Sequence, residues 1–172
     1  MKREIELKFR IGALAPIRNH LKRLGARLIW KGREKNWYLD TKTESLKKRG
    51  MALRMRSAGT TLITLKTRLT KTKFKSADEY QLGIEDPKEM LAILKHLGYT
   101  PWLEYVKYRE YWRLSNAEIT LDVLPFGKFV EIEGSERMIQ NLAKKLGLNV
   151  AKTTTKSYSQ LLEEYRKKKM PR

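Results

Sequence analysis

Arg3-Glu4-Ile5-Glu6-Leu7-Lys8-Phe9-Arg10-Ile11 alternates charged and apolar residues without a break. Successive side chains of a β-strand point to opposite faces, so the stretch predicts a strand with Ile5, Leu7, Phe9 and Ile11 on one side. Glu4, Glu6, Lys8 and Arg10 occupy the other, and that face carries both signs of charge.

The same period of two recurs along the chain, at 28–39 with Gly32 interrupting, 51–56, 62–69, 79–84, 104–114, 119–123 and 129–133. Short turn chemistry joins several of these runs, Ala58-Gly59 and Ser115-Asn116 among them. Three helical patterns lie between. Pro16 opens one carried by Ile17, Leu21 and Leu24 and stopped by Gly25; Asp86-Pro87 opens one with Met90, Leu91, Leu94 and Leu97 that Gly98 ends; a third runs from Ser135 to Gly147. A last helix is predicted over 157–168. The sum is a single α+β domain, 1–172, of about eight antiparallel strands with helices on the apolar side of the sheet.

Two halves resemble one another. Each holds a Glu-Ile-Glu strand, at 4–6 and 131–133, and each holds basic residues two apart, Arg54 with Arg56 and Lys107 with Arg109. Such copies suit a sheet closed on itself with matching polar faces.

Composition narrows the chemistry. The chain has no Cys and two His, which excludes disulfides and thiolate metal sites, so any metal is a hard cation held by carboxylate oxygens. His20 and His96 fall in separate helical patterns and read as surface side chains. With 38 Lys and Arg against 19 Asp and Glu, net +19, polyanions are natural partners; RNA is one, although helix-turn-helix, zinc-finger and RNP signatures are absent. No early apolar run is long enough for a signal peptide or membrane span, which predicts a cytoplasmic protein.

Strand parity places Arg54 with Arg56, Thr64 with Lys66, Glu79 with Gln81, Lys107 with Arg109, Thr120 with Asp122 and Glu131 with Glu133, each pair on one face. Alternation admits two readings. One is the wet face of an ordinary amphipathic sheet, where cross-strand charge pairs contribute modestly. The other is a closed barrel with a polar interior, in which Glu4, Glu6, Glu131 and Glu133 offer oxygens to Mg²⁺ or Mn²⁺ while Lys and Arg take a triphosphate. Tyr105, Tyr108, Tyr111 and Trp112 read as packing residues or, alternatively, as a stacking surface for a base.

Glu4-Ile5-Glu6-Leu7-Lys8 resembles the opening Glu-x-Glu-x-Lys strand of the CYTH family, which includes class IV adenylyl cyclases, thiamine triphosphatases and inorganic triphosphatases. Further segments resemble the family in order: Tyr38-Leu39-Asp40 leading to Leu53-Arg54-Met55-Arg56, Leu65-Lys66, Glu79, Lys107-Tyr108-Arg109, Leu121-Asp122, Gly127 through Glu133, and Lys156-Ser157-Tyr158. The resemblance implies an eight-stranded closed antiparallel β-barrel, the triphosphate tunnel, with helices packed outside. It implies Mg²⁺ or Mn²⁺ at Glu4, Glu6, Glu131 and Glu133, with Asp122 and Glu79 as further acids, and phosphates on Lys8, Arg54, Arg56, Lys66, Lys107 and Arg109. Glu4, Glu6 and Lys8 would serve catalysis directly; Lys156 and Tyr158 would either join them or cap the tunnel mouth.

The chain departs from the family's pattern at Asn36 and Gln81, where acids are expected, and at Ala77, where a base is usual. The implied function is metal-dependent hydrolysis of inorganic triphosphate, thiamine triphosphate or a nucleoside triphosphate. Cyclisation of ATP to cyclic AMP is the alternative, and a non-catalytic polyphosphate- or RNA-binding module a second.

Overall fold

In a computed structural model that describes residues 2–71 and 74–169, the chain forms nine strands and five α-helices. In order these are β1 (Lys2–Ile11), α1 (Leu14–Arg23), β2 (Arg27–Asp40), α2 (Ser45–Lys48), β3 (Ala52–Ala58), β4 (Thr60–Lys71), β5 (Lys75–Ile84), α3 (Pro87–His96), β6 (Thr100–Leu114), β7 (Ala117–Leu124), β8 (Gly127–Glu133), α4 (Glu136–Lys145), the two-residue β9 (Thr153–Thr154) and α5 (Tyr158–Lys169). Strands pair in the order β5-β4-β3-β2-β6-β7-β8-β1-β9, and β5 also pairs with β1. The ladder therefore returns to its start: eight antiparallel strands form a closed barrel, and the fold is α+β.

Local chemistry accounts for the ends of the helices. Asp86 accepts hydrogen bonds from the backbone N–H groups of Lys88 and Glu89 at the start of α3, with Pro87 in its first turn, and Ser135 accepts from Met138 N at the start of α4. Leu24, Leu97 and Leu146 end α1, α3 and α4, each followed by a glycine at positive φ, Gly25, Gly98 and Gly147. Two sequence expectations shift. α1 begins at Leu14, so Pro16 lies inside its first turn. Gly32 does not interrupt β2, because a single glycine lacks only a side chain and keeps both backbone ladder groups.

The chain divides into two compact units. The first contains Met1–Glu4, Gly32–Lys71 and Lys75–Lys107; the second contains Ile5–Lys31, Thr72–Phe74 and Tyr108–Arg172. In the first, β3 pairs with β2 and β4, and β4 with β5; Leu39, Met55 and Leu94 are buried together, joined by Trp37, Leu53, Ile63, Met90 and Leu91. In the second, Leu7, Phe9, Ile119, Leu121, Val130 and Ile132 present one face of β1, β7 and β8 to Ile17 and Leu21 of α1 and to Ile139, Leu142 and Ala143 of α4. The helices thus cover the apolar face, and the polar residues of these strands lie on the other.

Candidate active site

In the first unit, strand register sets out the polar residues in rows. Tyr38 stands opposite Arg54, Arg54 opposite Thr64, and Thr64 opposite Gln81; Lys66 stands opposite Glu79. The Lys66 ammonium bonds a Glu4 carboxylate oxygen and lies 3.4 Å from Glu79 Oε1, so one cation serves two acids. Glu34 is the most deeply placed acid among the described residues of this unit, 1 % exposed, with Lys107 Nζ at 3.2 Å, Arg56 at 3.8 Å and Asn36 Nδ2 donating to it at 3.1 Å. Burial raises the pKa of the Tyr38 phenol, but Arg54, Lys75, Lys66 and Lys107 together outweigh it, and the net shift is downward. That direction reports a strongly positive local field.

The second unit repeats the theme on β1, β6, β7 and β8. Arg109 holds Asp122 through two bonds, at 2.7 and 2.6 Å, and reaches Glu131 at 2.7 Å. Lys8, 2 % exposed, lies 3.1 Å from Glu131 Oε1 and donates to the Lys156 carbonyl at 2.9 Å. Tyr158 donates its hydroxyl to Asp122 Oδ2 at 2.7 Å, and its ring lies under the Lys8 ammonium, 4.2 Å away. Burial first, then the charges of Asp122 and Glu131, push this phenol well above its ordinary pKa. It stays protonated at neutral pH and acts as a donor. Lys156 extends outward and pairs with Glu164 at 2.6 Å.

Glu6 lies directly opposite Glu133, and Glu133 opposite Glu118, so three carboxylates form a row across β1, β8 and β7. The donor set, oxygen throughout, suits Mg²⁺ or Mn²⁺. Among the described residues no three acidic or histidine side chains converge closely enough to hold a metal unaided. Mg²⁺ is commonly held by one or two carboxylates together with substrate phosphates, a demand that Glu6 and Glu133 can meet. His96 is exposed and His20 shares its ring Nδ1 with the Pro16 carbonyl, so neither joins an acidic cluster.

Sequence reasoning missed Glu34. The acid absent at Asn36 is present two residues earlier on the same strand face, and the parity rule applied backwards from Asn36 would have found it. Gln81 is satisfied locally, donating to Thr64 Oγ1 at 3.0 Å. Ala77 is fully buried. Of the aromatic run, Tyr105 and Trp112 are buried packing residues and Tyr108 is exposed.

A closed antiparallel barrel whose strands carry buried, reciprocally paired acids and bases on one face is the structural class to which this chain belongs. The chain belongs to the CYTH domain family, whose model matches residues 2–158. It is 28% identical over 170 residues to a Methanocaldococcus jannaschii protein named "Putative adenylate cyclase MJ0240", covering 92% of this chain and 97% of that one. Its fold is similar to that of the Pyrococcus horikoshii protein PH1819, with 26% identity, a TM-score of 0.78 and coverage of 95% and 99%. It is also similar to the Hippeastrum protein HpAC1, described as having a dominant triphosphatase activity, with 16% identity, a TM-score of 0.68 and coverage of 94% and 96%. No helix among the described residues is long and apolar enough to cross a membrane.

Proposed function

We propose that this chain is a divalent-metal-dependent enzyme that hydrolyses a triphosphate. The observation that carries the reading is the sharing of single cations between paired acids: Lys66 between Glu4 and Glu79, and Arg109 between Asp122 and Glu131. A metal–triphosphate pair offers each partner a charge-conserving exchange, phosphate oxygens for the cations and metal for the released carboxylates. Without that exchange, taking either partner away would leave a buried charge uncompensated.

In this reading Arg54, Arg56, Lys66 and Lys107 of the first unit and Lys8 and Arg109 of the second take phosphate oxygens. Glu6 and Glu133, which stand opposite one another on β1 and β8, are candidates to hold metal together with Glu4, Glu79, Asp122 and Glu131, each exchanging its present partners for the metal as cations turn to phosphate. When bound, Mg²⁺ or Mn²⁺ would neutralise phosphate charge and orient the oxygens for in-line displacement. Water attacks the terminal phosphorus as the bond to the bridging oxygen breaks, giving orthophosphate and the shortened phosphate chain as leaving group, with the water's proton passing to the phosphate products or to solvent, while Lys and Arg donors stabilise the charge spread over the transferring group. Tyr158 is a positioning residue, holding Asp122 by its hydroxyl while Asp122 orients Arg109.

The name of the M. jannaschii relative favours a second reading, attack of a ribose 3′-hydroxyl on the α-phosphorus of ATP with release of pyrophosphate. Incubation with inorganic triphosphate, thiamine triphosphate, ATP and 5′-triphosphate RNA, with and without Mg²⁺ or Mn²⁺, separates the possibilities. Metal-dependent release of orthophosphate is expected. Cyclic AMP with pyrophosphate would move the assignment to cyclisation, and tight, salt-sensitive RNA binding without any product would make the chain a binding module.

A further inference from the structure

Arg10 ends the charged row of β1. By strand parity it shares a face with Glu6 and Lys8, and like them it belongs to the second unit. Register places Arg10 opposite Phe129, Phe129 opposite Asp122 and Asp122 opposite Arg109, so the two arginines lie in one row across β1, β8, β7 and β6. Lys8 and Arg109 are engaged by carboxylates, Lys8 by Glu131 and Arg109 by Asp122 and Glu131. Arg10 is exposed, and among the described residues no carboxylate pairs with it.

Its guanidinium is held in place all the same. Nη2 donates to the Phe126 carbonyl, and Cζ lies 5.7 Å from the centre of the Phe129 ring. Gly127 supplies the third wall. A Cβ at that position would stand 3.0 Å from Nη2, 3.1 Å from Nε and 3.3 Å from Cζ of Arg10, and the glycine's φ of +152° is one that side chains rarely adopt. A carbonyl, a phenyl ring and a bare backbone thus seat the group against the turn between β7 and β8. The Phe126 carbonyl takes one N–H of a five-donor fork, and the rest of the fork is open to an anion.

We propose that Arg10 is a further phosphate-binding residue, seated by Gly127 and Phe126 at the end of the polar row. The proposal rests on the triphosphate reading above and adds to its binding set. Two physical differences separate Arg10 from Lys8 and Arg109. It gives up no carboxylate when it takes a phosphate oxygen, so its bond to the anion needs no exchange of partners. Its planar fork is already oriented, so less freedom is lost on binding than for a mobile surface arginine. Residues on one strand face recur about every 6.8 Å, which brings an anion held by Lys8 within reach of the Arg10 side chain. Being exposed and uncompensated, Arg10 also acts on the approaching anion before the paired bases do.

The test compares wild type, Arg10→Ala, Arg10→Lys and Gly127→Ala, by turnover of inorganic triphosphate with Mg²⁺ and by calorimetric binding of inorganic triphosphate without metal. Arg10→Ala should raise KM and Kd about tenfold while kcat changes less than about twofold, and Arg10→Lys should recover part of the loss. Gly127→Ala keeps the guanidinium but fills its seat, and should weaken binding in the same direction. Added salt should weaken binding by the wild type more steeply than by Arg10→Ala. Unchanged KM and Kd in Arg10→Ala would overturn the inference. So would a fall in melting temperature and kcat with KM retained, which would make Arg10 a prop for the turn. Either result leaves the triphosphate reading standing, whereas a wild type that neither binds nor turns over triphosphate overturns both.

Discussion

Glu34 shows how a single buried carboxylate organises its surroundings. Lys107, Arg56 and Asn36 all turn to it, from β6, β3 and β2. Because removing one side of a buried pair strands the other, Glu34→Gln should destabilise the fold by about 3 kcal/mol, read from the midpoint of urea unfolding. A midpoint equal to the wild type's would show that Lys107 draws its compensation elsewhere. Tyr158 makes a pH-dependent case. Its folded pKa lies above the ordinary value of 10.0, raised by burial and by Asp122 and Glu131. Above that pH the unfolded chain has released the proton while the folded chain retains it, so stability is whole below about pH 10 and falls as pH rises through the folded value. Tyr38 shifts the other way and remains in both proteins, so the comparison of wild type with Tyr158→Phe isolates Tyr158. The variant should be less stable at neutral pH by about 1.5–3 kcal/mol, for the lost bond to a carboxylate, and should show a shallower alkaline decline in thermal-melt series. At this scale, parity in the sequence placed Lys8, Lys66, Lys107, Arg109 and Asp122 on polar faces. Glu34 shares its strand face with Asn36, but nothing local in the sequence marks that face of β2 as buried.

Among the elements, β1 concentrates the chemistry, and its register against β8 sets Glu6 opposite Glu133 and Lys8 opposite Glu131. Facing carboxylates repel one another and are relieved by a cation between them. Mn²⁺ or Mg²⁺ should therefore raise the melting temperature of the wild type. Glu6→Gln should lose most of that rise along with triphosphate turnover, while its circular dichroism stays native. A full metal-dependent rise in the variant would remove Glu6 from the ligand set. The period-two runs identified every long strand, and Asp86, Pro87, Ser135 and the three glycines marked helix ends. Strand ends ran short at 75–78 and 100–103, since Lys75-Ser76-Ala77-Asp78 and Thr100-Pro101-Trp102-Leu103 lack simple alternation and are extended only because neighbouring strands supply ladder partners. Register was illegible for the same reason. It belongs to the pairing of two strands, and neither carries it alone.

At the scale of the molecule, the question left by alternation was whether the charged faces are wet. Lys8, Lys107, Glu34 and Asp122 are all at most 2 % exposed, which a solvent-facing sheet would not produce. Closure of the ladder through β5 and β1 leaves no free strand edge within the eight-stranded ring and lets two sets of elements be buried differently, apolar side chains against helices and polar side chains against one another. The net charge of +19 is a property of the whole composition and does not by itself decide that division.

By itself, the sequence determined the strand and helix periods, the segregation of charge to one face of each strand, and the ordered motifs through which family membership was legible. Those are local properties, set by side-chain alternation and capping chemistry. Only the tertiary structure decided that the charged faces are buried, that Glu34 is enclosed by Lys107, Arg56 and Asn36, and that Arg109 and Lys66 each serve two carboxylates. Burial and pairing depend on which strands lie side by side, and that is settled by the closing of the sheet, between residues as far apart as Glu4 and Lys66 or Asp122 and Tyr158.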